Sequence, residues 1–256
     1  MAVQPTTYEE AKAMVAGDLG LEMEKFPLRF ATAAYFGTPP RLGKEMEVNS
    51  GSASLLRLGG THMALTCHHV LEGYRDRLKA DASTIFQLGD CKLDPVKQLK
   101  AESEKLDFAL VELHEGQAQE IAEGKGDFGT YFIEPDPWPP QPVVEGDFVA
   151  FGGFPGELRR AVSFNEMSFG SYSSGASRVT LVRDEYIVCQ FEREHWVQRK
   201  FEPEPATIRG MSGGPAFALR KSAATGIITY EFVGHVYEFS EDFELLYIRM
   251  AKVLGD

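Results

Sequence analysis

The pattern of hydrophobic and polar positions predicts a helix at the start of the chain. Thr7 and Glu10 fit a capping box, and apolar residues such as Met14 then recur at helical spacing. We therefore expect a short helical N-terminal extension over residues 1–26, with its helix at 7–24. This helix is expected to pack on the rest of the protein, and the alternative is that it docks a regulatory protein partner.

After this extension the apolar runs become short, and turn residues separate them. The pair Gly59-Gly60, for example, divides two apolar runs in the manner of a tight hairpin. Many short strands with few helices are typical of an all-β sandwich or barrel. The predicted strands span residues 28–37, 53–58, 61–66, 83–88, 108–113, 148–151, 178–182, 187–191, 226–230 and 232–237.

Four further stretches complete this prediction. Residues 44–52 are polar and are predicted as a loop, and the Gly/Ser-rich residues 163–177 are predicted as a mobile loop near the cleft. Residues 135–142 contain five prolines, which cannot occupy a central strand and favour extended backbone, so they are predicted as a linker. The last apolar run, from Tyr247, is predicted to form a strand and a short helical turn.

The charge of the chain limits the partners it can bind. Its 256 residues carry a formal net charge of −12, and the pI is about 5.0, which argues against nucleic acid or an anionic membrane as the main partner. No signal peptide is recognised, and no apolar run approaches the ~18–20 residues that a membrane-spanning helix needs. The three cysteines, an odd number, favour a reducing compartment, so we expect a cytoplasmic protein.

A serine lies between glycines in the stretch Gly210-Met-Ser-Gly-Gly-Pro215, where the backbone can bend sharply and approach another chain closely. A lone serine hydroxyl is a poor nucleophile and needs an adjacent base. Candidate partners lie upstream, in Thr66-Cys-His-His-Val70 and in Leu106-Asp-Phe-Ala-Leu110. Together the three motifs supply His, Asp and Ser in that order along the chain.

In these motifs and their order the chain resembles the trypsin/chymotrypsin clan of serine proteases, especially its bacterial members without disulfides. The resemblance extends over roughly residues 27–250. It implies two antiparallel β-barrels of the chymotrypsin type, with an active-site cleft between them. The implied division is a first barrel at 27–134, the linker at 135–142, and a second barrel with the C-terminal tail at 143–256.

The resemblance also implies how these residues would hydrolyse a polypeptide substrate. Ser212 would be the nucleophile, His69 the general base, and Asp107 the group that orients the imidazole. The backbone N–H groups of Gly210 and Ser212 would form the oxyanion hole. His69 is favoured over His68 because it directly precedes Val70 and an expected turn at residues 71–73, which matches the motif of the clan. No cofactor and no metal is expected, and the alternative function is a catalytically silent binding or scaffold module on the same fold.

Two other kinds of site fit parts of these motifs. The Gly-x-Ser-x-Gly pattern at 210–214 also fits the elbow of α/β-hydrolases, but among the histidines only His235 follows the serine, and no β-α-β alternation is present. Cys67, His68 and His69 are potential metal ligands, but adjacent residues on one strand point to alternate faces. The esterase and metal interpretations are therefore disfavoured.

A substrate pocket is implied by the same resemblance. Its floor would be Ala206, six residues before the nucleophile, with Thr207 beside it, and its wall would contain Tyr237, Glu238 and Phe239. An alanine floor offers no carboxylate to a buried cation, and the Phe239 ring narrows the wall. We expect cleavage after small or medium apolar residues, unless the Glu238 carboxylate turns inward and selects a basic residue.

Met211 bears on how such a protease would be activated. Secreted zymogens of the clan carry an aspartate at this position, which pairs with a freshly cut N-terminus. A methionine cannot form this ion pair, and no activation sequence lies near residue 27. We therefore expect the full-length chain to need no N-terminal cleavage.

Overall fold

The structure, a computed structural model, describes residues 16–40, 47–124, 129–164, 166–191, 205–222 and 224–255. Within these ranges the chain is mostly antiparallel β-sheet, accompanied by three α-helices. The all-β prediction is confirmed. The predicted capping box at Thr7 and Glu10 lies outside the described residues.

Helices and strands have the following bounds. The helices are α1 (Asp18–Leu28), α2 (His68–Ala80) and α3 (Glu115–Ala122). The strands are β1 (Ala31–Gly37), β2 (Val48–Leu58), β3 (Thr61–Thr66), β4 (Ile85–Leu88), β5 (Cys91–Leu93), β6 (Leu99–Ser103), β7 (Phe108–Glu112), β8 (Phe148–Gly153), β9 (Arg159–Ser163), β10 (Glu166–Phe169), β11 (Tyr172–Val182), β12 (Tyr186–Gln190), β13 (Pro215–Lys221), β14 (Ile228–Ser240) and β15 (Leu245–Met250).

The first sheet contains seven antiparallel strands in the order β5-β4-β1-β2-β3-β7-β6. Strands β2 and β3 form the predicted hairpin, and the two turn residues, Gly59 and Gly60, have φ values of 55° and 83°. Glycine adopts these left-handed conformations without steric cost, so the Gly-Gly pair determines where the chain reverses. Among the described residues this sheet does not close on itself, and the first predicted barrel is therefore a half-barrel.

The second sheet is a closed barrel of six strands in the order β11-β12-β15-β14-β13-β8. A single hydrophobic cluster fills it, which includes Phe151, Ile187, Leu246 and Ile248. Strand β13 was not predicted, and β14 joins the two strands predicted at 226–230 and 232–237 into one. The predicted ending is confirmed, because β15 is followed by a short 3-10 helix at Ala251–Leu254.

Helix α1 packs on the closed barrel. Its residues run to Leu28, so the strand predicted from residue 28 begins only at Ala31. The Phe26 ring stacks on Tyr230 with 4.1 Å between the ring centroids. Close packing at the end of the helix explains why it extends beyond its predicted limit, since burial of these apolar residues stabilises it.

The prediction of a mobile loop at residues 163–177 is wrong for the described part of that stretch. Strands β9 and β10 form a hairpin there, and β11 belongs to the barrel. The small residues allow α1 to approach the sheet. A Cβ on Gly175 would lie 3.2 Å from the Cβ of Met23, and the Ser173 hydroxyl donates to the Glu24 carbonyl at 2.7 Å.

Two shorter predictions also need correction. Strand β2 begins at Val48, within the stretch predicted as a polar loop at 44–52. The turn expected at residues 71–73 is the middle of α2, whose residues Val70, Leu71 and Tyr74 are buried against the first sheet. An amphipathic helix thus begins at the His-His pair itself.

All three cysteines, Cys67, Cys91 and Cys189, are buried and free. Cys91 and Cys189 lie in two of the hydrophobic clusters, where they pack as small apolar side chains. Within the part of the chain that the structure describes, no helix combines the length and apolar character needed to cross a membrane.

Candidate active site

The structure brings His69 and Asp107 together from two separate elements. His69 lies in the first turn of α2, and Asp107 lies in the turn between β6 and β7. The Nδ1 atom of His69 is 2.8 Å from Oδ2 of Asp107, and the backbone N–H of His69 donates to Oδ1 at 3.0 Å. The carboxylate therefore holds the imidazole and the start of α2 at the same time.

The local backbone at Asp107 is unusual, with φ at 49°. Aspartate is one of the few non-glycine residues that adopts this left-handed conformation readily. The turn is closed by the Asp107 N–H, which donates to the Glu104 carbonyl at 3.2 Å. This conformation directs the carboxylate back towards α2 at the point where β7 begins.

Electrostatics favour a charged Asp107. Burial opposes its ionisation, but hydrogen bonds from the side chain and backbone of His69 outweigh this effect and lower the pKa of the carboxyl below its usual value. The side chain of His69 is half exposed, with 52% of its surface accessible. The imidazole is therefore held on one edge and accessible on the other.

Three buried residues lie behind Asp107, and sequence motifs did not assign them a role. His235 on β14 is fully buried, and its Nε2 lies 3.4 Å from the Asp107 carbonyl oxygen. Arg249 on β15 pairs with His235 across the strands, and the Cys67 thiol contacts the Val236 carbonyl at 3.5 Å. Burial lowers the pKa of His235 to about 4 and, together with the charge of Asp107, raises that of Cys67 well above its usual value.

The loop that carries Ser212 requires glycine on both sides of the serine. Gly210 has φ at 99° and Gly213 at 96°. A Cβ on Gly210 would lie 2.7 Å from the Gly156 nitrogen, and one on Gly213 would lie 2.0 Å from the Ser52 carbonyl oxygen. Both the backbone conformation and the close approach of neighbouring chain therefore exclude a larger residue.

Ser212 and His69 line one open cavity of about 240 Å³. Its walls come from the half-barrel, from α2 and from the serine loop. Among the described residues, the Ser212 hydroxyl forms no hydrogen bond with His69. The structure thus places the two groups on one cavity without joining them. The lining residues are Phe36, Asn49, Ser50, His69, Val70, Gly73, Gly210 and Ser212.

Some backbone N–H groups of this loop donate hydrogen bonds within the protein, and others do not. The Met211 N–H donates to the Ile208 carbonyl at 3.1 Å, and the Gly213 N–H donates to the Val236 carbonyl at 2.7 Å. The N–H groups of Gly210 and Ser212, in contrast, donate no hydrogen bond to any described residue. Two unpaired donors therefore flank Met211 at the rim of the cavity.

The residues predicted for the substrate pocket do not share one environment. Ala206 is exposed, so the described residues do not enclose it as a pocket floor. The Thr207 hydroxyl donates to the Glu241 carboxylate, which also accepts from Arg209 at 3.0 Å. Sequence motifs did not single out Glu241 for this contact.

The predicted wall residues face different ways. The Tyr237 ring lies 4.3 Å from the Arg249 guanidinium carbon and packs beside the core of the half-barrel. Glu238 is exposed, whereas the Phe239 ring contacts Phe191, with 5.2 Å between the ring centroids. Phe239 therefore belongs to the edge of the barrel core.

One group of potential metal ligands overlaps the site. Ligand atoms of Cys67, His69 and Asp107 all lie within 4.8 Å of one another. The fit to a cation is poor, because the Cys67 thiol is fully buried and its pKa is raised, while His69 and Asp107 already share a hydrogen bond. The arrangement suits an oriented imidazole next to a serine better than a metal centre.

A family model for a trypsin-like peptidase domain matches residues 51–227. This range includes His69, Asp107 and Ser212 and spans most of the chain. No curated protein matches the chain.

Three solved structures with similar folds are distant in sequence. The Rv3671c protease from M. tuberculosis in its active form is 12% identical, with coverage of 93% of this chain and 83% of that one and a TM-score of 0.47. A Glu endopeptidase in complex with MPD is 13% identical, with coverage of 85% and 84% and a TM-score of 0.41. The scabies mite inactivated protease paralogue S-I1 is 12% identical, with coverage of 89% and 90% and a TM-score of 0.46.

Proposed function

The chain belongs to the family of trypsin-like peptidase domains, and on this premise we propose that it is a serine endopeptidase that hydrolyses polypeptides through an acyl-enzyme. The observation that carries this proposal is the 2.8 Å contact between His69 and Asp107 beside the cavity that Ser212 also lines. His69 and Asp107 are 38 residues apart in the sequence, so tertiary structure rather than local sequence brings them together.

In the proposed reaction, the Ser212 hydroxyl attacks the scissile carbonyl while Nε2 of His69 takes its proton. Asp107 keeps the other proton on Nδ1 and stabilises the imidazolium that forms. His69 then gives its new proton to the leaving amine, and the acyl group stays on Ser212. Water, activated by the same imidazole, releases the acid and restores the serine.

The developing negative charge on the substrate oxygen is proposed to lie against the N–H groups of Gly210 and Ser212. Both groups are without a partner among the described residues, and both residues line the cavity. Loss of one such donor typically reduces the rate by ~10²–10³. These two donors are therefore expected to supply a large part of the rate enhancement.

We also propose that cleavage follows small or medium apolar residues. Two carboxylates contact Thr207: that of Glu241 is bound by the Thr207 hydroxyl and by Arg209, and that of Glu157 accepts from the Thr207 N–H at 2.9 Å. A carboxylate paired in this way is a poor partner for a basic substrate side chain. The Phe239 ring, which lies beside Phe191, is proposed to narrow the space available to the substrate side chain.

Three further features are part of the proposal. The segment 135–142 is proposed to separate the two domains, and its neighbour Val143 lies in the core of the closed barrel. The three free thiols support the proposal that the protein functions in a reducing compartment such as the cytoplasm. Polypeptide is the proposed substrate, and a regulatory protein partner for the N-terminal extension stays a prediction.

One observation favours the alternative of a catalytically silent module on this fold, namely the lack of a hydrogen bond between Ser212 and His69 among the described residues. Such bonds are often long before substrate binds and tighten in the complex. The test is hydrolysis of quenched fluorescent peptides by the wild type and by Ser212→Ala. Turnover by the wild type that is absent from the variant supports the peptidase, and equal signals from both refute it.

A further inference from the structure

The serine loop needs a support that is not the activation ion pair of secreted zymogens. Met211, at the position where those relatives carry an aspartate, has no accessible surface and packs in the core of the closed barrel. This apolar contact fixes the Met211 side chain but does not orient the peptide groups on either side of it. Other contacts must set the direction in which Gly210 and Ser212 point their N–H groups.

Ser52, on β2 of the half-barrel, supplies such contacts on both sides of Met211. It is fully buried, and its hydroxyl donates to the Gly210 carbonyl at 2.9 Å. Its backbone N–H donates to the Ser212 carbonyl at 2.8 Å. One residue of the half-barrel therefore bonds to the 210–211 and 212–213 peptide groups, which lie on either side of the peptide group that carries the Ser212 N–H.

The Ser52 hydroxyl also acts on the preceding peptide group through a second loop. It accepts a hydrogen bond from the Phe154 N–H at 2.9 Å. Two residues later, the Gly156 N–H donates to the Arg209 carbonyl at 2.7 Å. Because the C=O and N–H of one trans peptide point in opposite directions, this bond turns the Gly210 N–H away from Gly156.

Neighbouring groups pack closely around the Ser52 hydroxyl. A Cβ on Gly153 would lie 2.8 Å from the Ser52 hydroxyl oxygen, and the Thr66 hydroxyl holds the Ser52 backbone by donating to its carbonyl at 2.7 Å. Replacement of Ser52 by alanine would remove the hydroxyl that bridges the two loops. The Gly210 carbonyl and the Phe154 N–H would then both lose their buried partner.

We propose that Ser52 is a positioning residue that holds the serine loop in the conformation that binds the oxyanion. It takes this role through the Gly210 carbonyl directly and through Phe154 and Gly156 indirectly. The half-barrel thereby supports a loop of the closed barrel without any cleavage of the chain. This inference rests on the proposed function, because it concerns the competence of the same site.

The test compares Ser52→Ala with Thr84→Val in the full-length protein. Thr84 is also buried, and its hydroxyl donates to the Asp81 carbonyl at 2.7 Å, but it lies in another part of the half-barrel. Ser52→Ala should lower kcat for a peptide substrate by about 10²-fold with KM changed less than about 3-fold, because a small misplacement of the oxyanion donors affects the transition state most. Thr84→Val should keep kcat while the melting temperature falls in both variants.

Equal kcat in Ser52→Ala and Thr84→Val would overturn the inference, as would a change confined to KM. A second measurement separates this result from failure of the proposed function. If the wild type neither cleaves peptides nor reacts with a fluorophosphonate, the peptidase proposal fails, and hydrogen exchange of the Met211 amide still decides the role of Ser52. Exchange at least ~10-fold faster in Ser52→Ala than in Thr84→Val supports positioning, and equal exchange refutes it.

Discussion

The buried His235 predicts that the protein loses stability between neutral and mildly acidic pH. Its Nε2 contacts the Asp107 carbonyl at 3.4 Å, and its Nδ1 has no hydrogen-bond partner among the described residues. Burial is the main cause that lowers its pKa from 6.5 to about 4, and the charges of Arg249 and His69 act in the same direction against the attraction of Asp107. His235 is therefore neutral in the folded protein at pH 7.

The sign of the effect follows from the two pKa values. Between pH 6.5 and about 4 the unfolded chain binds a proton at His235 that the folded protein does not bind, so acidification favours unfolding. Each pH unit in this range contributes about 1.4 kcal/mol, so the loss from this group reaches roughly 3 kcal/mol near pH 4. The contribution is fully present above the unfolded value of 6.5.

Urea unfolding of the wild type and of His235→Gln at several pH values between 7.5 and 4 measures this loss. Glutamine keeps a donor for the Asp107 carbonyl and does not titrate, and every other titrating group is shared by the two proteins. The free energy of unfolding of the wild type should fall more steeply, so the difference between the proteins changes by roughly 3 kcal/mol across the range. Parallel curves would refute the reasoning, whatever the offset between them.

Three other predictions concern the site. Asp107→Asn should reduce kcat by about 10⁴-fold, because the amide favours the wrong imidazole tautomer, whereas His68→Ala should keep most activity in the same peptide assay. Gly210→Ala should lose at least ~10²-fold in kcat, because its Cβ would lie 2.7 Å from the Gly156 nitrogen, while Gly146→Ala, with φ at 93° and open space around it, should lose stability but little activity. A peptide library varied before the scissile bond should show cleavage after small or medium apolar residues, and dominant cleavage after Arg or Lys would instead implicate an acidic group such as Glu241.

The candidate triad could be predicted from sequence because each of its motifs combines chemistry with a local backbone requirement. Gly210 and Gly213 have positive φ, which favours glycine. The two glycines therefore indicate a tight turn around the serine even when the fold is not known. Asp107 likewise has a conformation that few residue types tolerate. The Gly59-Gly60 turn was predictable for the same reason.

Other features depend on tertiary structure and left no local signal. Strand β13 was missed because Pro215 suggests a break, yet as the first residue of the strand it needs no donor there. Ser52 bonds to Gly210, which lies 158 residues further along the chain. The local sequence around Ser52 gives no sign of this contact, because a serine is common in an alternating strand. The role of His235 depends on burial behind Asp107, which spacing along the chain does not reveal.

Within the described residues only one of the two large sheets closes into a barrel, and the sequence pattern does not predict this difference. The edge strands β5 and β6 are short, at Cys91–Leu93 and Leu99–Ser103. Apolar alternation predicts that a strand exists, but it does not specify which neighbour it pairs with. Strand count and closure therefore required the structure, whereas the all-β class did not.

Reaction of the uncut, full-length chain with a fluorophosphonate, followed by intact mass and peptide mapping, tests the central claim most directly. One adduct per chain is expected, located on Ser212, on a protein whose N-terminus has not been cleaved. Ser212→Ala should gain no adduct, and His69→Ala should react far more slowly because the base is missing. An unlabelled wild type, an adduct on another residue, or labelling restricted to a truncated form would contradict the account.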